Sequence, residues 1–278
     1  MPPSDPRKTG SGLVSRWHPT CQSNAPMPRR RRIGTAGMVF HAMNRAVKRA
    51  TMFDSQWEYA VFESLLRETK KRIPISLLNY CIMPNHWHLI ILVHHDGDLS
   101  RFMHRLEGRH AQRWHAGRGT TGNGAVYQGR FKSIPVQTDD HLLRVMRYVE
   151  RNALRASLVK DAAAWRWSSL WRRSNSCDAG LLDPWPILQP PDWRTLVNEP
   201  QTEGELATLR EAITRNAPYG NDDWRERTAK LLGLEKSMRP GGRPRRKTSP
   251  DPGFDTARNS PEETSPDPVV SDPVFRRS

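Results

Sequence analysis

Between residues 35 and 160 the apolar positions switch repeatedly between a two-residue and a helical period. Met38, Phe40 and Ala42 alternate with Val39, His41 and Met43, which predicts a strand leaving through Asn44 and Arg45. Ser55 and Glu58 form a capping box ahead of Trp57, Val61, Phe62, Leu65 and Leu66, so a helix is expected to about Arg72, where Pro74 stops it. Two strand-like segments follow, Ile75 to Met83 and His86 to Val93, hinged at Pro84-Asn85. A second helix is expected from Leu99 to His115, with Phe102, Met103, Leu106 and Trp114 inward. A glycine-rich loop (117–124), a strand from Val126 to Val136 and a third helix opened by Asp139-Asp140 complete the series. The order β-α-β-β-α-β-α predicts an α+β fold, a two-layer sandwich with an antiparallel sheet.

Outside this region the pattern weakens. Leu206, Leu209 and Ile213 predict a helix ending near Asn216, and Asn221-Asp222-Asp223 caps another carrying Trp224, Leu231 and Leu232. This pair reads as accessory helices docked on a core, or as a helix-turn-helix. Residues 1–33 are rich in Pro, Ser and Gly and residues 248–278 in Pro and Ser, with almost no apolar periodicity, so a flexible basic arm and a disordered tail are expected. The expected organisation is a basic arm (1–33), a main domain (34–172), an accessory helical region (173–235) and a basic linker with tail (236–278). Met27 stands directly before Arg29-Arg30-Arg31-Arg32, so translation could start at Met1 or Met27.

Charge changes the picture next. The net charge is +15, of which residues 1–50 carry +9, residues 51–160 carry +6 and the remainder none. A polyanionic partner, nucleic acid above all, is expected at the first 160 residues. Apolar runs such as Leu89 to Val93 are far too short to cross a bilayer, and no signal peptide is recognised, so neither membrane nor secretion is expected. Three widely spaced cysteines, odd in number, argue against a disulfide scaffold or a cysteine-only zinc site. A cytoplasmic, nucleoid-associated protein is the expectation.

The candidate chemistry lies in two stretches. In Pro84-Asn85-His86-Trp87-His88, strand alternation sends His86 and His88 to one side and Trp87 to the other, with imidazoles about 7 Å apart along the strand and able to share one divalent ion. Two histidines on a strand can equally be surface or core residues. In Arg147-Tyr148-Val149-Glu150-Arg151-Asn152, Asn152 follows Tyr148 by four residues, so phenol and amide share a helix face. A phenol, with an ordinary pKa of ~10, is a poor nucleophile at neutral pH unless a cation stabilises the developing charge. Tyr148 could also be a packing aromatic. Imidazole and amide oxygen suit Mg²⁺ or Mn²⁺ acting on phosphate.

Met83-Pro84-Asn85-His86-Trp87-His88 resembles the HUH motif of the single-tyrosine transposases. Tyr127-Gln128-Gly129-Arg130-Phe131-Lys132, the block from Tyr148 to Val159, and Trp165-Arg166-Trp167-Ser168-Ser169 are similar to segments of their REP-associated branch. The resemblance spans about 35–172. Where that branch most often has Asn-Pro-x-Arg-Ala-Gly, this chain has Asn152-Ala153-Leu154-Arg155-Ala156-Ser157. The resemblance implies a ferredoxin-like or RRM-like antiparallel sheet with helices on one face. It implies metal-dependent cleavage and rejoining of single-stranded DNA bearing hairpins or palindromic repeats. Tyr148 would form a 5′-phosphotyrosine link, His86 and His88 would ligate the metal, and Asn152 would supply the third ligand. A monomer or a homodimer would serve.

For holding DNA, Arg101, Arg105, Arg109 and Arg113 recur every four residues along the second helix, as a phosphate-tracking stripe or a solvated face. Arg45, Arg130 and Lys132 are expected near the site, and Trp114 or Trp87 could stack a base. Gly241-Gly242-Arg243-Pro244-Arg245 resembles an AT-hook, which implies minor-groove contacts for Arg243 and Arg245, or is a nonspecific basic linker. Two other functions remain open: a DNA-binding regulator without catalysis, and a nicking protein of the Rep or relaxase kind.

Overall fold

The computed structural model describes residues 34–177 and 180–239. The basic arm with Met27, the tail, and Arg243 and Arg245 lie outside the described residues. Strands β1 (Val39–Arg45), β2 (Ile75–Met83), β3 (His86–Val93) and β4 (Lys132–Val136) form one sheet in the order β2-β3-β1-β4, every neighbouring pair antiparallel. The α+β class and the antiparallel sheet are those expected from the sequence.

Helix α1 (Gln56–Arg72) starts where Ser55 accepts the Glu58 amide and Glu58 accepts that of Asp54 at 2.6 Å. Helix α2 (Asp98–Arg118) runs longer than expected at both ends. Both lie against the face of the sheet that presents Phe40, Ala42, Leu77, Tyr80, Ile82, Trp87, Leu89 and Ile91, all essentially buried. The other face presents Val39, Cys81, Met83, Ile90, Ile134 and Val136. Helix α3 (Asp140–Glu150) packs there through Leu142, Val145, Met146 and Val149. The helical layer expected on one face is thus joined by a second layer on the other. The cause is that β3 is apolar on both sides, so neither face can be left to water.

Beyond α3 come α4 (Asn152–Arg155), α5 (Ser169–Ser174), α6 (Trp193–Asn198), α7 (Glu203–Arg215), α8 (Asp222–Leu231) and α9 (Glu235–Met238). Trp193, Val197, Leu206, Leu209 and Ala212 complete the apolar layer around α3. The expected ends of the C-terminal pair are present: Asn216 closes α7 in the left-handed region at φ 54°, and the Asn221 side chain caps α8.

The strand expected from Val126 to Val136 is shorter. Tyr127 makes only an isolated bridge with Ala46, and the regular ladder begins at Lys132. Val126, Tyr127 and Phe131 are buried under α1 and α2. Their apolar pattern therefore comes from packing, not from a ladder.

Candidate active site

The site is assembled at the end of the sheet where β3 begins. Pro84-Asn85 makes a two-residue turn, because Met83 pairs with His86. Alternation from that turn sends His86 and His88 toward α3, while Trp87, fully buried, points into the α1/α2 layer. Trp87 is therefore unavailable to a base. Trp114 is half-buried and donates to Met52 O at 2.9 Å.

Asn85 Oδ1 accepts from His86 Nδ1 at 2.6 Å. The proton therefore sits on Nδ1, and Nε2 keeps its lone pair. His88 Nδ1 is bonded to His41 Nε2 at 2.9 Å. His41 comes from β1, two positions before Met43, which pairs with His88. Burial, with the charges of Arg155 and Arg45, lowers the His86 pKa from 6.5 to about 4; burial alone takes His41 to about 3. His88 is pushed well down by burial and by its neighbours His41, His86 and Arg155. All three imidazoles are neutral at pH 7, the state in which they can act as ligands.

Tyr148 reaches this pair from α3. Its ring meets that of His88 edge-on at 5.9 Å and that of His41 at 6.2 Å. Arg151 joins α3 to α4 without a break, its amide still donating to Arg147 O at 2.9 Å, which keeps Asn152 one turn from Tyr148; Asn152 Nδ2 contacts Tyr148 O at 3.4 Å. Asn152 Oδ1 accepts from Arg155 Nη2, and the same guanidinium lies 4.2 Å above the Tyr148 ring. Tyr148 and Asn152 are both buried.

Helix α3 is held firmly. Buried Glu150 accepts from Ser169 Oγ at 2.6 Å and Trp193 Nε1 at 2.7 Å, and burial raises its carboxyl above the ordinary range despite Arg173 nearby. Arg147 and Arg151 donate to the carbonyls of Glu199 and Val197 at 2.9 and 3.0 Å. The residues after 161 thus fix the register that presents Tyr148.

The residue set expected at the site divides. His86, His88, Tyr148 and Asn152 come together. Arg45 pairs across from His86 and is bonded to Gln128 Oε1 at 2.9 Å; Lys132 pairs with Met43 in the row that holds His88. Arg130 is exposed just before β4. Arg101, Arg105 and Arg109 lie on α2, in the opposite layer. Arg101 is paired with Asp98 and Arg113 with Glu68, so half of the four-residue stripe is already neutralised. His41, Glu150 and the position of Arg155 were not singled out from the sequence. The i, i+4, i+7 spacing of Tyr148, Asn152 and Arg155 carried the last of these; the contact of His41 depends on strand register.

Among the described residues no group of three or more His, Cys, Asp and Glu has metal-holding geometry. The donor set present is two imidazoles, each fixed at Nδ1, and an amide oxygen. That set is compatible with a divalent cation bound through Nε2 atoms. No helix among the described residues is long and apolar enough to cross a membrane.

No curated protein matches the chain. A solved structure of a REP-associated tyrosine transposase bound to a REP hairpin is similar at 18% identity over 58% of this chain and 91% of that one, with a TM-score of 0.43. Another, of a protein from Deinococcus radiodurans r1, is similar at 15% identity over 44% and 95%, with a TM-score of 0.30. Residues 35–152, from the start of the sheet to Asn152, match the family described as Transposase IS200 like. That segment, which contains both histidines, the tyrosine and the asparagine, is where the chain is similar to the IS200-like transposase family.

Proposed function

We propose that this protein cleaves and rejoins single-stranded, hairpin-bearing DNA through a covalent bond to Tyr148, with Mg²⁺ or Mn²⁺ held by His86, His88 and Asn152. The observation that carries this reading is the contact of the Tyr148 ring with His88 within one chain, on the face where two neutral imidazoles converge. A bound divalent ion would polarise the phosphoryl oxygen and offset the charge that develops there.

The protein's own groups do the rest. The Tyr148 oxygen bonds to phosphorus while the bond from phosphorus to the 3′ oxygen breaks with its electron pair. The phenolic proton passes to water, and the departing oxygen takes one from water as a 3′-hydroxyl. The phosphotyrosine preserves the energy of the broken bond, so the same or another 3′-hydroxyl can reverse the step without ATP. Arg45 and Lys132, at the same end of the sheet, would position the strand through its phosphates.

The test is a denaturation-resistant adduct between the full chain and labelled single-stranded oligonucleotides, hairpins included, in Mn²⁺. Adduct with the parent and none with Tyr148→Phe supports the proposal. Adduct with Tyr148→Phe overturns it. Salt-sensitive DNA binding with no adduct on any hairpin assigns the protein to the regulators without catalysis.

A further inference from the structure

Arg155 lies against both Tyr148 and Asn152, and its surroundings do not satisfy it. Nη2 donates to Asn152 Oδ1 and the guanidinium plane covers the Tyr148 ring, yet Nη1 is buried without a hydrogen-bond partner. No carboxylate pairs with Arg155 among the described residues, whereas Arg166, Arg172, Arg173 and Arg194 each have one. A buried guanidinium N–H left unpaired costs about 1–3 kcal/mol. Its neighbours here are neutral imidazoles, a phenol and an amide. The group missing from this set is an anion, and a planar two-pronged donor matches a phosphate.

Resting on the reading of Tyr148 as nucleophile, we infer that Arg155 grips the scissile phosphate and that it reaches it by giving up Asn152 Oδ1. The amide oxygen that would serve a divalent cation is the one that Arg155 now holds. Two cations on one carbonyl oxygen repel each other. The guanidinium then turns about its long side chain toward the non-bridging oxygens of the strand lying over Tyr148. Arg155 is thus a catalytic residue with two positions, and the presence of a cation and the gripping of the strand become coupled. In the absence of cation it covers the nucleophile.

The test compares parent, Arg155→Gln and Arg155→Lys, each checked for an unchanged unfolding midpoint. Mn²⁺ alone is titrated into the full chain without DNA, followed by the paramagnetic signal of the free ion. Arg155→Gln removes both the competitor and its repulsion, so Mn²⁺ binds at least about fivefold tighter. On hairpin oligonucleotides that give adduct with the parent, the single-turnover rate falls about 100-fold in Arg155→Gln. Arg155→Lys keeps the charge but loses the fork: Mn²⁺ binding stays near parental and adduct formation slows about tenfold. Unchanged or weaker Mn²⁺ binding in Arg155→Gln, or an adduct rate within about threefold of the parent, overturns the inference. If the parent gives no adduct, the reading of Tyr148 fails by itself. Equilibrium binding of the same single strands in Mn²⁺ then decides on Arg155: a drop of about tenfold keeps the grip and no drop removes it. Should Arg155→Gln not fold, the lysine variant decides by the adduct rate: a rate within about threefold of the parent overturns the inference.

Discussion

On the face of the sheet covered by α1 and α2, the Tyr127 hydroxyl meets His110 Nδ1 at 2.8 Å and Trp87 Nε1 at 3.3 Å. On the opposite face, His88 and His41 lie against Tyr148 at 5.9 and 6.2 Å. Both faces therefore hold buried histidine beside tyrosine, and consecutive residues of β3 supply Trp87 to one and His86 and His88 to the other. The difference lies in what remains unpaired. The Trp87–Tyr127–His110 chain is closed, with each member bonded to the next inside an apolar layer. The opposite face leaves His41 Nδ1 and Arg155 Nη1 buried without partners. Native interiors rarely leave such atoms unpaired, and the hydroxyl of Tyr127 is what spares the first face that cost. A histidine–tyrosine pair by itself therefore says little about chemistry.

The largest effect separates the two tyrosines. Tyr127→Phe strands the two ring nitrogens that share its hydroxyl and is expected to cost about 2–4 kcal/mol of unfolding free energy, read by denaturant titration. Adduct formation on hairpin DNA should survive wherever this variant is folded. Tyr148→Phe should do the opposite, changing stability by less than about 0.5 kcal/mol and removing the adduct. Equal stability losses in the two variants would erase the distinction between a closed face and an open one.

Next in size is the role of His41, which fixes His88 at Nδ1 and leaves Nε2 to a cation. His41→Ala is expected to weaken Mn²⁺ binding by about 10–100-fold, as measured on the protein without DNA. His41→Gln, whose amide oxygen can accept from His88 Nδ1, should recover part of it. Mn²⁺ binding within about twofold of the parent in His41→Ala would show that His88 needs no such support.

Much of this arrangement is legible in the chain because its determinants are local. The Pro84-Asn85 turn fixes alternation along β3, which separates His86 and His88 from Trp87, and helical spacing joins Tyr148 to Asn152. His41 was not legible as a site residue, since its contact depends on Met43 pairing with His88 from a strand 47 residues away. Arg155 had the right spacing, but an arginine at a helix end ordinarily reads as a solvated complement to the helix dipole. The stretch from Val126 to Phe131 misleads for the converse reason: side chains that fill a layer under two helices can imitate a strand's periodicity. Glu150 reads as a surface acid and becomes buried only because Ser169 and Trp193, far along the chain, fold over it.

The closed face also has its own pH signature. Burial lowers the His110 pKa from 6.5 to about 3. Below pH 6.5 the unfolded chain takes up a proton that the folded chain refuses. The stability contributed by neutral His110 is therefore complete above pH 6.5 and is lost as pH falls toward 3. The loss has a slope of up to about 1.4 kcal/mol per pH unit. His110→Gln should flatten the unfolding free energy between pH 6.5 and 4.5 by up to that amount relative to the parent. Equal slopes in the two proteins would mean that the folded state protonates His110 as readily as the unfolded one.

The smallest effect concerns how the open face is closed off at its edge. Ser157 ends the turn that carries Asn152 and Arg155 and adopts φ 56°, a left-handed conformation that its Cβ disfavours by about 1–2 kcal/mol. Two backbone bonds hold it there, Ser157 N to Leu154 O and Leu158 N to Ala153 O, both at 3.0 Å. Glycine adopts that conformation freely but loses more entropy on folding, so Ser157→Gly should gain only about 0.5–1 kcal/mol, seen as a raised unfolding midpoint. The gain should also appear locally, as slower hydrogen exchange at the Leu158 amide, with no change around His110. Because the substitution leaves Asn152 and Arg155 untouched, Mn²⁺ affinity should stay within about twofold of the parent. A larger shift would mean that the strain at Ser157 sets where Arg155 rests, and that the edge of the open face tunes its chemistry.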